Sequence, residues 1–245
     1  MKKKILMIAN TNGLPGVTED VYSYCQFFAS PVGGNWCRDE FEILLNPAQH
    51  ELFKKIDEIE RANYDYIVTT FSGHGKEWDD GTVLTINGEG EKIAIRHLTG
   101  LSRKQLLIFD CCRNFKRMTF DIASIEARAT MMSMSRDPIR QAFEDRIQAS
   151  APQEIILYAC GQGETANDLG DGGLYSSCLL LGTRMTLTYS RSPFISVSTA
   201  HHKAVSLMQS DPCIEQHPQI RQTRCPRGQC LPLAINPSLL ETCDC

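Results

Sequence analysis

Tyr64–Phe71 reads YDYIVTTF and runs directly into Ser72-Gly-His-Gly75, and Gln105–Asp110 reads QLLIFD and runs directly into Cys111-Cys112-Arg113-Asn114. Each is a short apolar run rich in strand-forming residues, and each predicts a strand buried on both faces. The pattern recurs on either side. Lys4–Ala9 (KILMIA), Phe41–Leu45 (FEILL) and Glu154–Cys160 (EIILYAC) predict further core strands, and Leu231–Ile235 (LPLAI) is the candidate for a sixth. Helical stretches separate them. Thr18 is a candidate N-cap for a helix through about Ala29, and Asn46 for one that carries Leu52, Ile56 and Ile59 at helical spacing. Two more helices are expected over about Tyr175–Thr186 and Ser196–Gln209. Thr82–Ile86 and Lys92–Ile95 flank Asn87-Gly88, a hairpin signal. Continuously apolar strands alternating with helices predict an α/β fold with a mostly parallel sheet.

In such sheets the ligand site lies beyond the carboxyl ends of the strands. The segments there are Ser72-Gly-His-Gly75, Cys111-Cys112-Arg113-Asn114 and Gly161-Gln-Gly-Glu164. A histidine and a cysteine at the ends of adjacent strands can act as a base and a nucleophile, because the thiolate is the reactive form and a nearby imidazolium stabilises it. The glycines around His74 let the backbone approach a substrate, and the amide of Gly75 becomes a candidate oxyanion donor beside the nucleophile's own amide. A Cys-Cys pair alone is more often buried filler, and a lone loop histidine more often mere surface. Their coincidence at two core strands reverses that judgement and points to acyl transfer.

Composition excludes other classes. The chain has 245 residues, 42% hydrophobic and 22% charged, which fits a single folded domain over 1–245 and argues against disorder. With 29 acidic and 25 basic residues the net charge is −4, which disfavours nucleic acid as a partner. No apolar run approaches the roughly 18 residues of a membrane helix. The run ILMIA after the first lysines is too short for the core of a signal peptide. The cysteines number 11, an odd count in a chain long enough to bury a real core, so a cytoplasmic protein with mostly reduced thiols is expected. Residues 116–152 interrupt the strand–helix alternation. They are rich in arginine and methionine, and Asp137-Pro138 can start a helix with Ile139, Phe143 and Ile147 on one face.

Phe71-Ser-Gly-His-Gly75 with Phe109-Asp-Cys-Cys-Arg113 resembles the catalytic pair of the caspase-like cysteine peptidases, closest to prokaryotic caspase homologues and metacaspases. The likeness continues through Leu14-Pro-Gly…Asp20-Val, Gly34-Asn-Trp, Leu45-Asn-Pro, Gly161-Gln-Gly-Glu-Thr-Ala-Asn-Asp168, Gly172-Gly-Leu-Tyr-Ser176 and Gln216-His-Pro-Gln-Ile220. It implies a three-layer α/β/α sandwich around a mostly parallel six-stranded sheet. It also implies His74 as the base, Cys112 rather than Cys111 as the nucleophile, and the amides of Gly75 and Cys112 as oxyanion donors. Asp110 and Ser72 would line the primary specificity pocket. A carboxylate there suits a guanidinium, so cleavage after Arg, less readily Lys, is expected in protein or peptide substrates.

Two departures stand out. Arg113-Asn114-Phe115 replaces the His-Ser-Gly usual in metacaspases, which favours a bacterial branch. The acidic stretch of calcium-dependent members is reduced here to Glu77, Asp79 and Asp80, so calcium activation has little support and no cofactor is expected. Residues 116–152 fall where caspases carry a processing linker, which makes Arg128, Arg136, Arg140 and Arg146 candidate cleavage points for the enzyme itself or an activating protease. Free-standing relatives often serve stress or antiviral defence. A catalytically weak scaffold that binds protein partners is the alternative. A zinc module built on Cys213, Cys225, Cys230, Cys243 and Cys245 is a third reading, with fortuitous cysteines preferred to it.

Overall fold

Five of the apolar runs, β2 (Phe41–Leu45), β1 (Lys3–Ala9), β3 (Tyr66–Trp78), β6 (Lys104–Cys111) and β7 (Gln153–Tyr158), line up in that order with the edge strand β9 (Gln219–Gln222) as the six-strand path of an eight-stranded sheet, to which a hairpin beside β3 adds the other two. A computed structural model describes residues 1–78, 81–112, 137–168, 170–226 and 228–240 of the chain. β1 (Lys3–Ala9), β2 (Phe41–Leu45), β3 (Tyr66–Trp78), β6 (Lys104–Cys111) and β7 (Gln153–Tyr158) run parallel, and β9 (Gln219–Gln222) closes one edge antiparallel to β7. Alternate residues of the central strands face opposite layers, as the pleat requires. Ile5, Met7, Val68, Leu106 and Ile108 pack with α1 (Val17–Ala29), α3 (Pro138–Ala149), α4 (Leu174–Tyr189) and α5 (Val197–Met208). Leu6, Ile8, Ile67, Leu107 and Phe109 pack with α2 (Gln49–Ala62) and with a hairpin of β4 (Gly81–Thr85) and β5 (Lys92–Ala94). The result is the expected α/β/α sandwich. Leu52, Ile56 and Ile59 are buried on one stripe of α2, each worth about 1.5–3 kcal/mol against exposure.

Several elements depart from the sequence reading. Leu231–Ile235 does not supply the sixth strand. Its residues 232–235 form β10 (Pro232–Ile235), which pairs antiparallel with β8 (Phe194–Ser196) in a separate two-stranded sheet. The true edge strand β9 is polar and largely exposed, so hydrophobicity could not mark it. β3 does not stop at Phe71. Its first half pairs with β1 and β6 through Ser72 and Gly73, and its second half, His74–Trp78, pairs antiparallel with β4. Gly73, at φ +149°, makes that change of partner. β4 and β5 pair as the expected hairpin, joined by residues 86–91, and the Asn87 side chain organises that loop, accepting from the amides of Glu89 and Glu91. The residue before α1 is Gly16 rather than Thr18, and α2 begins after Ala48, while Asn46 holds a left-handed backbone and bonds Thr11 instead.

The helix starting at Asp137-Pro138 is present, with Asp137 accepting from the Ile139 amide and Phe143 and Ile147 buried. It is anchored by charge as well. Arg140 grips Glu40 through two hydrogen bonds of 2.6 and 2.8 Å and reaches Glu144 at 3.0 Å, and Glu144 pairs with the buried Lys3 of β1 at 2.9 Å. Among the described residues no helix is long and apolar enough to cross a membrane.

Candidate active site

The parallel register places Ser72 opposite Asp110 and Gly73 opposite Cys111. One step further along both chains come His74 and Cys112, so the two candidate residues leave adjacent strands at the same edge of the sheet.

The end of β1 orients the histidine. Asn10 is fully buried; its amide nitrogen donates to the carbonyls of Thr85 and Asn87, and its carbonyl oxygen accepts from the Asn12 amide at 3.0 Å. This fixes the Asn12 carbonyl 2.7 Å from His74 Nε2. A carbonyl oxygen only accepts, so Nε2 carries the hydrogen and Nδ1 presents the lone pair of the neutral ring.

The two cysteines differ in setting. Cys111 is 2% exposed and belongs to the core that includes Phe109. Cys112 is half-buried, and its thiol donates to the Ala166 carbonyl at 3.6 Å. Burial, with the fields of Asp110 and Asp168 adding to it, pushes the Cys112 thiol above its ordinary range. The resting group is therefore a thiol. Gly75 is required where it stands: a Cβ there would sit 2.5 Å from Cys111 Sγ and 2.8 Å from the Cys112 carbonyl.

Asp110 is buried and accepts from the Ser176 amide at 3.0 Å and the Ser176 hydroxyl at 2.6 Å, while Ser176 in turn accepts from the Tyr24 hydroxyl. Ser72 donates to Asp20, on the first turn of α1, and the Gly173 amide donates to the other Asp20 oxygen at 2.8 Å. Gly173 packs so tightly that a Cβ on it would fall on the Asp110 carboxylate. A third carboxylate, Asp168, accepts from the Gly16 amide at the start of α1 and from the Gly170 amide. Among the described residues no salt bridge reaches any of the three. Burial and the neighbouring Asp110 push Asp20 up to about 7, against the hydrogen bonds from Ser72 and Gly173. Burial likewise raises Asp110, with Asp168 adding to it against the Ser176 bonds.

The segment that carries Ala166 and Asp168 is itself held. Glu164 accepts from the amides of Gly161 and His217 and pairs with the His217 ring at 2.8 Å.

Sequence reasoning singled out Asp110 and Ser72 and missed the roles of Asp20, Asp168 and Ser176, although all three lie in the motif stretches it quoted. The available signal was position. α1 and α4 both begin at the carboxyl edge of the sheet, so a carboxylate in the first turn of one and a hydroxyl in the first turn of the other share the edge with the strand ends. The remaining site expectations fall elsewhere. Arg140 lies within α3 in the ion-pair network above, and Arg146, also in α3, donates to the carbonyls of Gly228 and Cys230. Both peptide bonds are in regular helix, where a protease cannot take them as extended chain. Arg128 and Arg136 lie outside the described residues, as do Asp79 and Asp80. Glu77 accepts from Thr82 and Gln162. Among the described residues no group of three or more His, Cys, Asp or Glu gathers to hold a metal ion.

The caspase domain matches residues 2–227, nearly the whole chain, and the protein belongs to that family of cysteine peptidases. No curated protein matches it.

Proposed function

We propose that the protein is a cysteine endopeptidase that cleaves after arginine, and less readily after lysine. The observation that carries this reading is the trio Asp20, Asp110 and Asp168, drawn together beside Cys112 with no cation of their own among the described residues. Like charges so close are costly, and a guanidinium entering among them would relieve that cost while making bidentate, charge-assisted bonds. An aspartate or an apolar side chain would relieve nothing. Lysine brings the charge without the planar fork, hence the lower rate.

In this reading the substrate's arginine enters the acidic pocket and its scissile carbonyl comes to lie over Cys112. His74 Nδ1 takes the thiol proton, and the sulfur attacks the carbonyl carbon. The amides of Gly75 and Cys112 donate to the oxyanion. The imidazolium returns the proton to the leaving amine, a thioester remains, and water releases it. The Asn12 carbonyl on Nε2 holds the ring in the tautomer this requires and stabilises the imidazolium. Processing within residues 116–152 would fall at Arg128 or Arg136 rather than at the helical Arg140 and Arg146. The resemblance to free-standing prokaryotic members suits a stress or antiviral role.

The raised thiol of Cys112 favours a second reading, the catalytically weak scaffold. Fluorogenic peptides ending in Arg, Lys or Asp, tested with wild type and Cys112→Ala, separate the two. Turnover in the order Arg, then Lys, with none for Asp and none in the variant, supports the peptidase. Absence of turnover in wild type, with and without calcium, supports the scaffold.

A further inference from the structure

The loop between β9 and β10 holds two cysteines that the proposed chemistry does not use. Cys225 and Cys230 bring their sulfurs within 3.0 Å of each other, both half-buried, across the turn that begins at Pro226. The turn is preformed: the Gln229 amide donates to the Pro226 carbonyl at 3.0 Å, and Gly228 takes a left-handed φ of +80°. Both flanks are tied down. Upstream, the Thr223 amide donates to the Glu154 carbonyl at 3.0 Å. Downstream, Arg146 donates to the carbonyls of Gly228 and Cys230 at 2.8 and 3.0 Å, Ser150 donates to the Cys230 carbonyl, and the Ala151 amide donates to Gln229. The sulfurs therefore need to move only about 1 Å to reach the ~2.05 Å of a covalent bond, with the backbone on either side already in place.

We propose that Cys225 and Cys230 are a reversible oxidation site, closed to a disulfide by peroxides and reopened by thiol reductants. One thiolate of the pair attacks one oxygen of the peroxide; the O–O bond breaks, giving a sulfenic acid on that cysteine and hydroxide, which takes up a proton to become water. The sulfur of the other cysteine then attacks the sulfenyl sulfur, the S–S bond forms, and the second oxygen leaves as water. Two thiols lose two electrons and two protons, and one hydrogen peroxide becomes two waters. A disulfide suits the pair better than a metal does, since a structural zinc takes four ligands and the described residues bring only two together here.

The bond would join the end of the edge strand β9 to the segment that Arg146, Ser150 and Ala151 pin to the junction of α3 and β7. It would act on the open edge of the sheet and leave the active site untouched. The site stands independently of the peptidase reading, so it is tested in full-length Cys112→Ala protein, which removes the competing active-site thiol. Hydrogen peroxide is added, remaining thiols are alkylated, and tryptic peptides are mapped without reduction. The fragment ending at Arg227 and the one beginning at Gly228 are expected joined through Cys225 and Cys230, and separate again after dithiothreitol. Closing a loop this small is expected to raise the melting temperature by about 4 °C. Cys230→Ser should show neither the link nor the rise. The proposal is overturned if both thiols stay alkylatable while other cysteines oxidise, if Cys230 pairs with Cys243 or Cys245 instead, or if stoichiometric zinc is found protecting the pair.

Discussion

Replacing Asp20 by asparagine is expected to make the protein more stable at alkaline pH while impairing it as an arginine peptidase. Asp20 is 3% exposed and its carboxyl is pushed up to about 7 from an ordinary 3.8. A group raised on folding holds its proton longer in the native state than in the unfolded one. Its contribution to stability is complete below the unfolded value and is lost as pH rises through the folded one. Between pH 5 and pH 8 the unfolded carboxyl is ionised throughout, while the native one passes from mostly protonated to mostly ionised. Linkage then gives a loss of about 2–3 kcal/mol for the wild type over that window.

Asparagine keeps an oxygen for the Gly173 amide and an amide for the Ser72 hydroxyl, which can turn to accept, but it has nothing to ionise. Stability of Asp20→Asn relative to wild type should therefore improve by about 2–3 kcal/mol from pH 5 to pH 8. Urea titrations of both proteins at the two pH values measure this directly. At pH 8 the variant also gives up one charged acceptor, so kcat/KM for an arginine peptide should fall about 10- to 100-fold. Parallel stability profiles would refute the account of a strained, partly protonated pocket. An unchanged kcat/KM would refute only the part of Asp20 in arginine binding.

Gly75→Ala should fold but lose at least about 100-fold in kcat, because its Cβ meets Cys111 Sγ and the Cys112 carbonyl and must displace the candidate nucleophile; steady-state kinetics beside a thermal melt separate the two effects. Arg140→Ala should destabilise the protein by about 2–3 kcal/mol in a denaturant titration, somewhat below a fully buried pair because the Arg140 side chain is 23% exposed. Mass mapping of purified wild-type protein should find chain breaks after Arg128 or Arg136 and none after Arg140 or Arg146, with Cys112→Ala remaining intact; breaks inside α3 would contradict its assignment as a fixed helix.

The order of residues was enough to mark the central strands, because burial on both faces leaves a continuous apolar run that no neighbour is needed to interpret. It also brought His74, Cys112 and Asp110 to one edge, since residues that end parallel strands share the carboxyl side of the sheet. It placed the helix at Asp137-Pro138, whose cap and apolar stripe are local. What depends on partners distant in the chain emerged only on folding. β9 is polar and exposed, and pairing with β7 alone makes it a strand, while β10 left the main sheet because β8 was there to pair with it. The cluster of carboxylates is of the same kind. Asp20, Asp110 and Asp168 come from the start of a helix, the end of a strand and a loop. Their mutual field, the burial that raises the Cys112 thiol and the tautomer set by the Asn12 carbonyl exist only once those segments are packed together, because desolvation and Coulomb energy are properties of neighbours in space and not of the order in which the residues are joined.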